Sequence, residues 1–168
     1  TGETTHSNAQ LTAEAVRNLT PYPGFSPADI ECLACGTSSP DQISPGHGPM
    51  VHGELGGNPC EVISTSGICT SGMSALKYAW LNVKAGQTDN AVATGSEQVS
   101  SFMRSRMCGA ADLNKAEQME SQPVLSFDAD FLRWMLSDGA GAAFLTNQPN
   151  NEGLSLRIDW IDILSFAH

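Results

Sequence analysis

Apolar positions along this chain follow two spacings, one suited to helices and one to strands. Leu11, Ala15, Val16 and Leu19 recur at three- to four-residue steps and predict a short helix closed by Pro21, after an irregular polar stretch at 1–10. A turn-rich segment at 21–27 leads into an apolar run at 29–36 that reads as a buried strand, with 37–40 as its exit loop. Met50, Val51 and Leu55 suggest a short helix within 46–56. The β-branched run 61–65, bounded by Pro59 and Gly67, reads as another buried strand. From Thr70 onward Met73, Leu76, Ala79 or Trp80, and Val83 return to helical spacing, and Gly86 supplies the stop.

Small residues at 90–95 predict a third strand ending in Ser96 and Glu97. Residues 100–136 mix short helical pieces with loop, and 139–145 read as a strand whose glycines allow close packing. Beyond a turn at 150–153, strict alternation at 154–164 predicts a half-exposed strand paired with 139–145 as a hairpin. Helix, strand, helix, strand, helix, strand is the order of an α/β protein with a parallel or mixed sheet.

Composition narrows the setting. With 168 residues and 40% hydrophobic content the chain suits one compact core or part of one. No apolar run is long enough to span a bilayer, so the expectation is a soluble protein without a membrane partner. A formal net charge of −10 with eight Lys and Arg argues against nucleic acid, whose binding requires clustered cations. Arg104, Arg106 and Lys115 form the one local basic cluster, read as solvated loop charge or as a handle for an acidic partner. Five dispersed cysteines, Cys32, Cys35, Cys60, Cys69 and Cys108, suit a reducing compartment, with the cytoplasm the expected location.

The candidate chemistry lies at Cys69. It falls where the strand at 61–65 gives way to the helix from Thr70, and a helix N-terminus favours thiolate over thiol. The Cys69 backbone N–H is also a candidate oxyanion donor. Ser66, Gly67, Thr70, Ser71 and Gly72 crowd the joint with small side chains that admit a second backbone and a substrate. The competing reading is a buried structural cysteine.

Other constellations carry less. Cys32 and Cys35 have the spacing of a metal or redox pair, but residues three apart on a strand point to opposite faces and no second pair follows, so both read as core. His47 and His52 are five apart and few carboxylates lie near them, which argues against a metal site; a dyad of either with Cys69 stays open. The glycine-rich 137–142 lacks a phosphate-loop lysine and precedes a strand, so it reads as packing.

Four segments together resemble a known family. SPADIECLACGTSSPDQISPGHG, SGICTSGMSALKYA, AVATGSE and SDGAGAAFL match, in order and spacing across about residues 8–165, the thiolase-fold condensing enzymes. The resemblance is strongest to β-ketoacyl-acyl-carrier-protein synthase III, although SFDADFLRWMLSDGAGAAFL is also similar to a segment of synthases I and II. Phe131, Leu132 and Arg133 replace the Arg-Asp-Gly of that segment.

The resemblance implies an α/β thiolase-like fold: a mixed sheet of the five-stranded type with helices on both faces, forming the N-terminal half of a duplicated architecture. It places residues 1–152 in that half, without its first strand, and 153–168 at the start of the second. For Cys69 it implies the acyl acceptor, loaded from acyl-CoA or an acyl carrier protein and then condensed with a decarboxylated malonyl unit. No tightly bound cofactor and no metal are implied, and the expected assembly is a homodimer joined through the strand at 60–65. The His and Asn, or two His, that promote decarboxylation belong to the second half in this family, and the role is not transferred to His47, His52 or His168. The chain is thus expected to be a piece of a longer enzyme. The alternatives are a non-catalytic thiolase-fold partner, or a thiolase or hydroxymethylglutaryl-CoA synthase-like enzyme using the same thiol.

Overall fold

The computed structural model describes residues 5–19, 25–101 and 134–167, together with Val124 and Phe127. Arg104, Arg106, Cys108, Lys115 and His168, and most of the segment 100–136, lie outside the described residues. Helix α1 spans Asn8–Arg17 and so begins inside the stretch expected to be irregular. Its start is fixed by polar groups that apolar periodicity does not register. Ser7 and Gln10 form a reciprocal capping box, and both Asp41 carboxylate oxygens accept from the first-turn amides of Asn8 (2.7 Å) and Ala9 (2.9 Å).

A short turn of 3-10 helix at Pro27–Asp29 precedes strand β1, Cys32–Gly36. Helix α2 (His47–Leu55), strand β2 (Glu61–Thr65), helix α3 (Ser71–Lys84), and strands β3 (Asn90–Glu97) and β4 (Gly139–Thr146) follow. The four strands form one sheet in the order β2-β1-β3-β4. β1 pairs in parallel with β2, Leu33 opposite Val62, and with β3, Leu33 opposite Val92. β4 runs antiparallel to β3, with Phe144 opposite Val92. The fold class is the expected one: a mixed sheet in an α/β protein with helices on both faces.

Every residue of β1 is buried, because it is central and covered on both faces. Strand alternation sorts its side chains. Leu33 and Cys35 join Ala9, Val16, Val51 and Val92 on the α1–α2 side, whereas Cys32 and Ala34 join Ala75, Ala79, Val83, Ala91 and Ala93 under α3. Five of the seven buried residues on the α3 side are alanine, which lets that helix lie close to the sheet.

The strand expected at 154–164 is not formed. Residues 154–167 carry no regular secondary structure, and β4 takes its backbone partners from β3, so the expected hairpin is absent among the described residues. Alternation makes a segment fit for a sheet but does not supply the neighbour whose N–H and C=O groups it needs. This segment instead rests on α3 through a hydrogen bond from Trp80 Nε1 to the Ile158 carbonyl at 3.2 Å, and Ile161 is buried. Leu154, Leu156, Trp160, Leu164 and Phe166 remain exposed. No helix among the described residues is long and apolar enough to cross a membrane.

Candidate active site

Parallel pairing of β1, β2 and β3 brings their C-terminal ends to one edge of the sheet, where ligand sites of α/β proteins form. The chain leaving β2 there makes a tight turn before α3. Ser66 and Gly67 are followed by a turn of 3-10 helix, Ile68–Thr70, and α3 begins at Ser71. Cys69 sits in that turn, exposed, directly before the helix. The sequence had located the joint, and the competing reading of Cys69 as a buried structural thiol does not hold.

The turn is constrained. Ile68 adopts φ 51°, the left-handed region that costs a β-branched residue about 1–2 kcal/mol. The Gly67 carbonyl accepts from the Thr70 N–H (3.0 Å) and the Thr70 hydroxyl (2.7 Å). A Cβ on Gly67 would lie 2.6 Å from the Thr70 Oγ1, so a side chain there would displace the Thr70 hydroxyl from its bond to the Gly67 carbonyl. The buried Ser71 Oγ accepts from the Gly67 N–H at 3.0 Å and donates to the Ile68 carbonyl at 2.7 Å. Thr65, the last residue of β2, donates its hydroxyl to the Ser71 carbonyl at 2.9 Å and ties the strand to the helix. Among the described residues, no hydrogen bond of this turn engages the Cys69 N–H.

The helix start is also pressed against the sheet through backbone alone. A Cβ on Gly36 would stand 2.3 Å from the Ser71 carbonyl oxygen, and one on Gly72 would stand 3.3 Å from the Gly95 Cα. Gly36 of β1 and Gly95 of β3 therefore lie directly against the first residues of α3, and a side chain at Gly36 would collide with the helix backbone.

The remaining described cysteines contrast with Cys69. Cys32 and Cys35 are buried on opposite faces of β1 and their thiols are pushed up to about 12 and about 11, chiefly by burial. Cys60 is half-buried and raised for the same reason. These three thiols are thus held protonated while Cys69 faces solvent.

His47 and His52 are not brought to Cys69. His47, the first residue of α2, is buried between α1 and β3, its Nε2 3.3 Å from Thr12 Oγ1 and 3.2 Å from Ser96 Oγ. His52 is engaged by the Asn58 carbonyl at 2.9 Å through Nε2. Among the described residues no group of three His, Cys, Asp or Glu is placed to hold a metal ion.

A polar network that the sequence did not reveal braces the same edge. Glu97, at the end of β3, accepts from Ser38 N–H (2.7 Å) and Ser38 Oγ (2.5 Å) with one oxygen and from Ser39 Oγ (2.5 Å) with the other. Burial pushes the Glu97 carboxyl up, but these serine hydrogen bonds together outweigh it and leave the net shift downward. Asn8 Nδ2 donates to Thr37 Oγ1 (2.9 Å) and the Ser39 carbonyl (2.8 Å), which fixes the loop after β1 to α1.

Residues 59–150, from before β2 to beyond β4, match the family described as Beta-ketoacyl synthase, N-terminal domain. The chain belongs to the beta-ketoacyl synthase family. Its similarity within that family is to type III members. A Beta-ketoacyl-acyl-carrier-protein synthase III of Rhizorhabdus wittichii is 30% identical over 102 residues, covering 61% of this chain and 31% of the relative. One from Clostridium perfringens is 24% identical over 148 residues, covering 88% of this chain and 39% of the relative. The chain thus spans well under half the length of these synthases.

Among solved structures, a tetronic acid condensing enzyme superposes with a TM-score of 0.65 at 20% identity, covering 89% of this chain and 38% of that one. OleA of Xanthomonas campestris gives 0.68 at 18% identity, covering 86% and 42%. These structural matches show a thiolase-like fold.

Proposed function

We propose that Cys69 accepts an acyl group from acyl-CoA or an acyl carrier protein. Within a longer protein, the resulting thioester condenses with malonyl-carrier protein by decarboxylative Claisen chemistry in fatty-acid or polyketide synthesis. The observation that carries this reading is the exposed Cys69 on a constrained turn at the start of α3, its own N–H free of hydrogen-bond partners among the described residues. The Cys69 sulfur adds to the thioester carbonyl, the carbonyl electrons collect on oxygen, and collapse expels the donor thiolate. A backbone N–H aimed at that oxygen stabilises the charge as it develops.

Residues 1–152 serve in this proposal as the N-terminal half of the duplicated architecture and 153–168 as the start of its partner half. The second half brings the groups that decarboxylate the malonyl unit. The outer edge of β2 is unpaired within the described sheet, which suits continuation of the sheet into a second subunit of a homodimer.

The test is intact-mass analysis of the full-length protein after incubation with acyl-CoA and acyl-carrier donors. A single acyl adduct is expected on the wild type and none on Cys69→Ser. No adduct from any donor, or an adduct that survives the substitution, refutes the assignment.

A further inference from the structure

We infer that Ser71 is a positioning residue that aims the Cys69 backbone N–H at the carbonyl oxygen of an incoming acyl donor. The inference rests on the reading of Cys69 as an acyl acceptor and adds a named origin for its oxyanion donor. The Ile68 carbonyl and the Cys69 N–H belong to one peptide unit. A trans peptide is planar and its C=O and N–H point in opposite directions, so holding one fixes the other. Ser71 holds this carbonyl twice, through its backbone N–H and through its hydroxyl at 2.7 Å. The same hydroxyl oxygen accepts from the Gly67 N–H at 3.0 Å, so it closes the turn from both ends.

The clasp also explains why Ile68 stays at φ 51°. A β-branched residue leaves the left-handed region unless the surrounding bonds hold it there. With the carbonyl drawn inward to Ser71, the Cys69 N–H faces away from it, and no acceptor among the described residues of this turn engages it. Ser71 is itself buried and anchored by the Thr65 hydroxyl on its carbonyl, so the clasp has a fixed base. Its hydroxyl thus reaches the reacting atoms only through the peptide it orients.

Two thiol reagents separate this role from general support of the turn. p-Nitrophenyl acetate acetylates a thiol through a tetrahedral oxyanion and releases p-nitrophenolate. Iodoacetamide alkylates it by displacement of iodide at carbon, with no oxyanion formed. Both rates are measured at Cys69 by peptide mass on the full-length wild type, Ser71→Ala and Ser71→Thr, with melting followed by circular dichroism.

In Ser71→Ala the donor is misaligned, not removed, so acetylation is expected to fall about tenfold while alkylation stays within about twofold. Ser71→Thr keeps the oxygen and is expected to retain the wild-type ratio of the two rates. Equal acetylation in wild type and Ser71→Ala overturns the inference, as does a parallel fall of both reactions or a Ser71→Thr ratio as low as that of the alanine variant. If wild type takes acetyl from the ester but from no acyl-CoA or carrier donor, the proposed function fails while the role of Ser71 stands.

Discussion

At the scale of single residues, His47 shows how this fold handles a titratable group it cannot solvate. Burial lowers its pKa below the ordinary 6.5, although the nearby Asp41 and Glu97 charges act in the opposite direction. Its Nδ1 is buried without a hydrogen-bond partner among the described residues, so an added proton there would be a charged donor with no acceptor. The sign follows. The unfolded chain takes up a proton near the ordinary value while the folded chain resists it. The neutral imidazole therefore contributes stability that is complete above that pH and lost as pH falls through it toward the folded-state value.

Glu97 titrates in a lower window. Its folded-state pKa lies below the ordinary 4.5, so its contribution is retained at pH values above that and lost on further acidification. Urea titrations of the wild type are expected to show stability declining between about pH 7 and pH 5. His47→Gln is expected to flatten that interval and leave the steeper loss below it. An unchanged slope in the variant contradicts the assignment.

At the scale of elements, the contact between α3 and the sheet is set by backbone approach, and two glycines make opposite predictions. Gly36→Ala places a methyl 2.3 Å from the Ser71 carbonyl oxygen and 2.7 Å from the Gly72 nitrogen. Neither atom can move without displacing the helix, so the substitution is expected to cost about 1–3 kcal/mol or more in urea unfolding, and to slow acylation of Cys69. Gly53 lies inside α2, and a methyl there would meet nothing within 4 Å among the described residues, so Gly53→Ala is expected to stabilise by about 0.5–1 kcal/mol. Equal effects at the two sites would show that backbone proximity does not control this interface.

What the sequence revealed follows from the same distinction. The elbow at Cys69 was legible because a β-branched run, small residues and a helical repeat adjoin within one segment. The start of α1 was not, since Ser7 and Gln10 define it before the first apolar residue of the repeat. The contacts of His47 join positions 35 and 49 residues away, at Thr12 and Ser96, and local patterning holds no trace of them. Residues 154–164 misled in the other direction: their alternation is genuine, but strand formation depends on an available neighbour.

At the scale of the whole molecule, the described surface exposes several large apolar side chains. Trp134, Leu154, Leu156, Trp160, Leu164 and Phe166 are all more than 70% exposed, and they cluster late in the sequence. The isolated 168-residue chain is expected to self-associate despite its charge of −10. Sedimentation velocity at rising concentration and at raised salt is expected to show larger species. A monomer that persists across both series, with cooperative melting, would contradict this.

The order of the strands in the sheet has a consequence in time. The central strand β1 is flanked on one side by β3, whose Val92 pairs with Leu33. A ribosome adding about 5–20 residues per second needs several seconds to deliver that partner after β1 has emerged. For that interval β1 has one bare flank, and α3 lacks the strand whose Gly95 its Gly72 packs against. Nascent chains stalled before β3 should therefore be the species that chaperones hold.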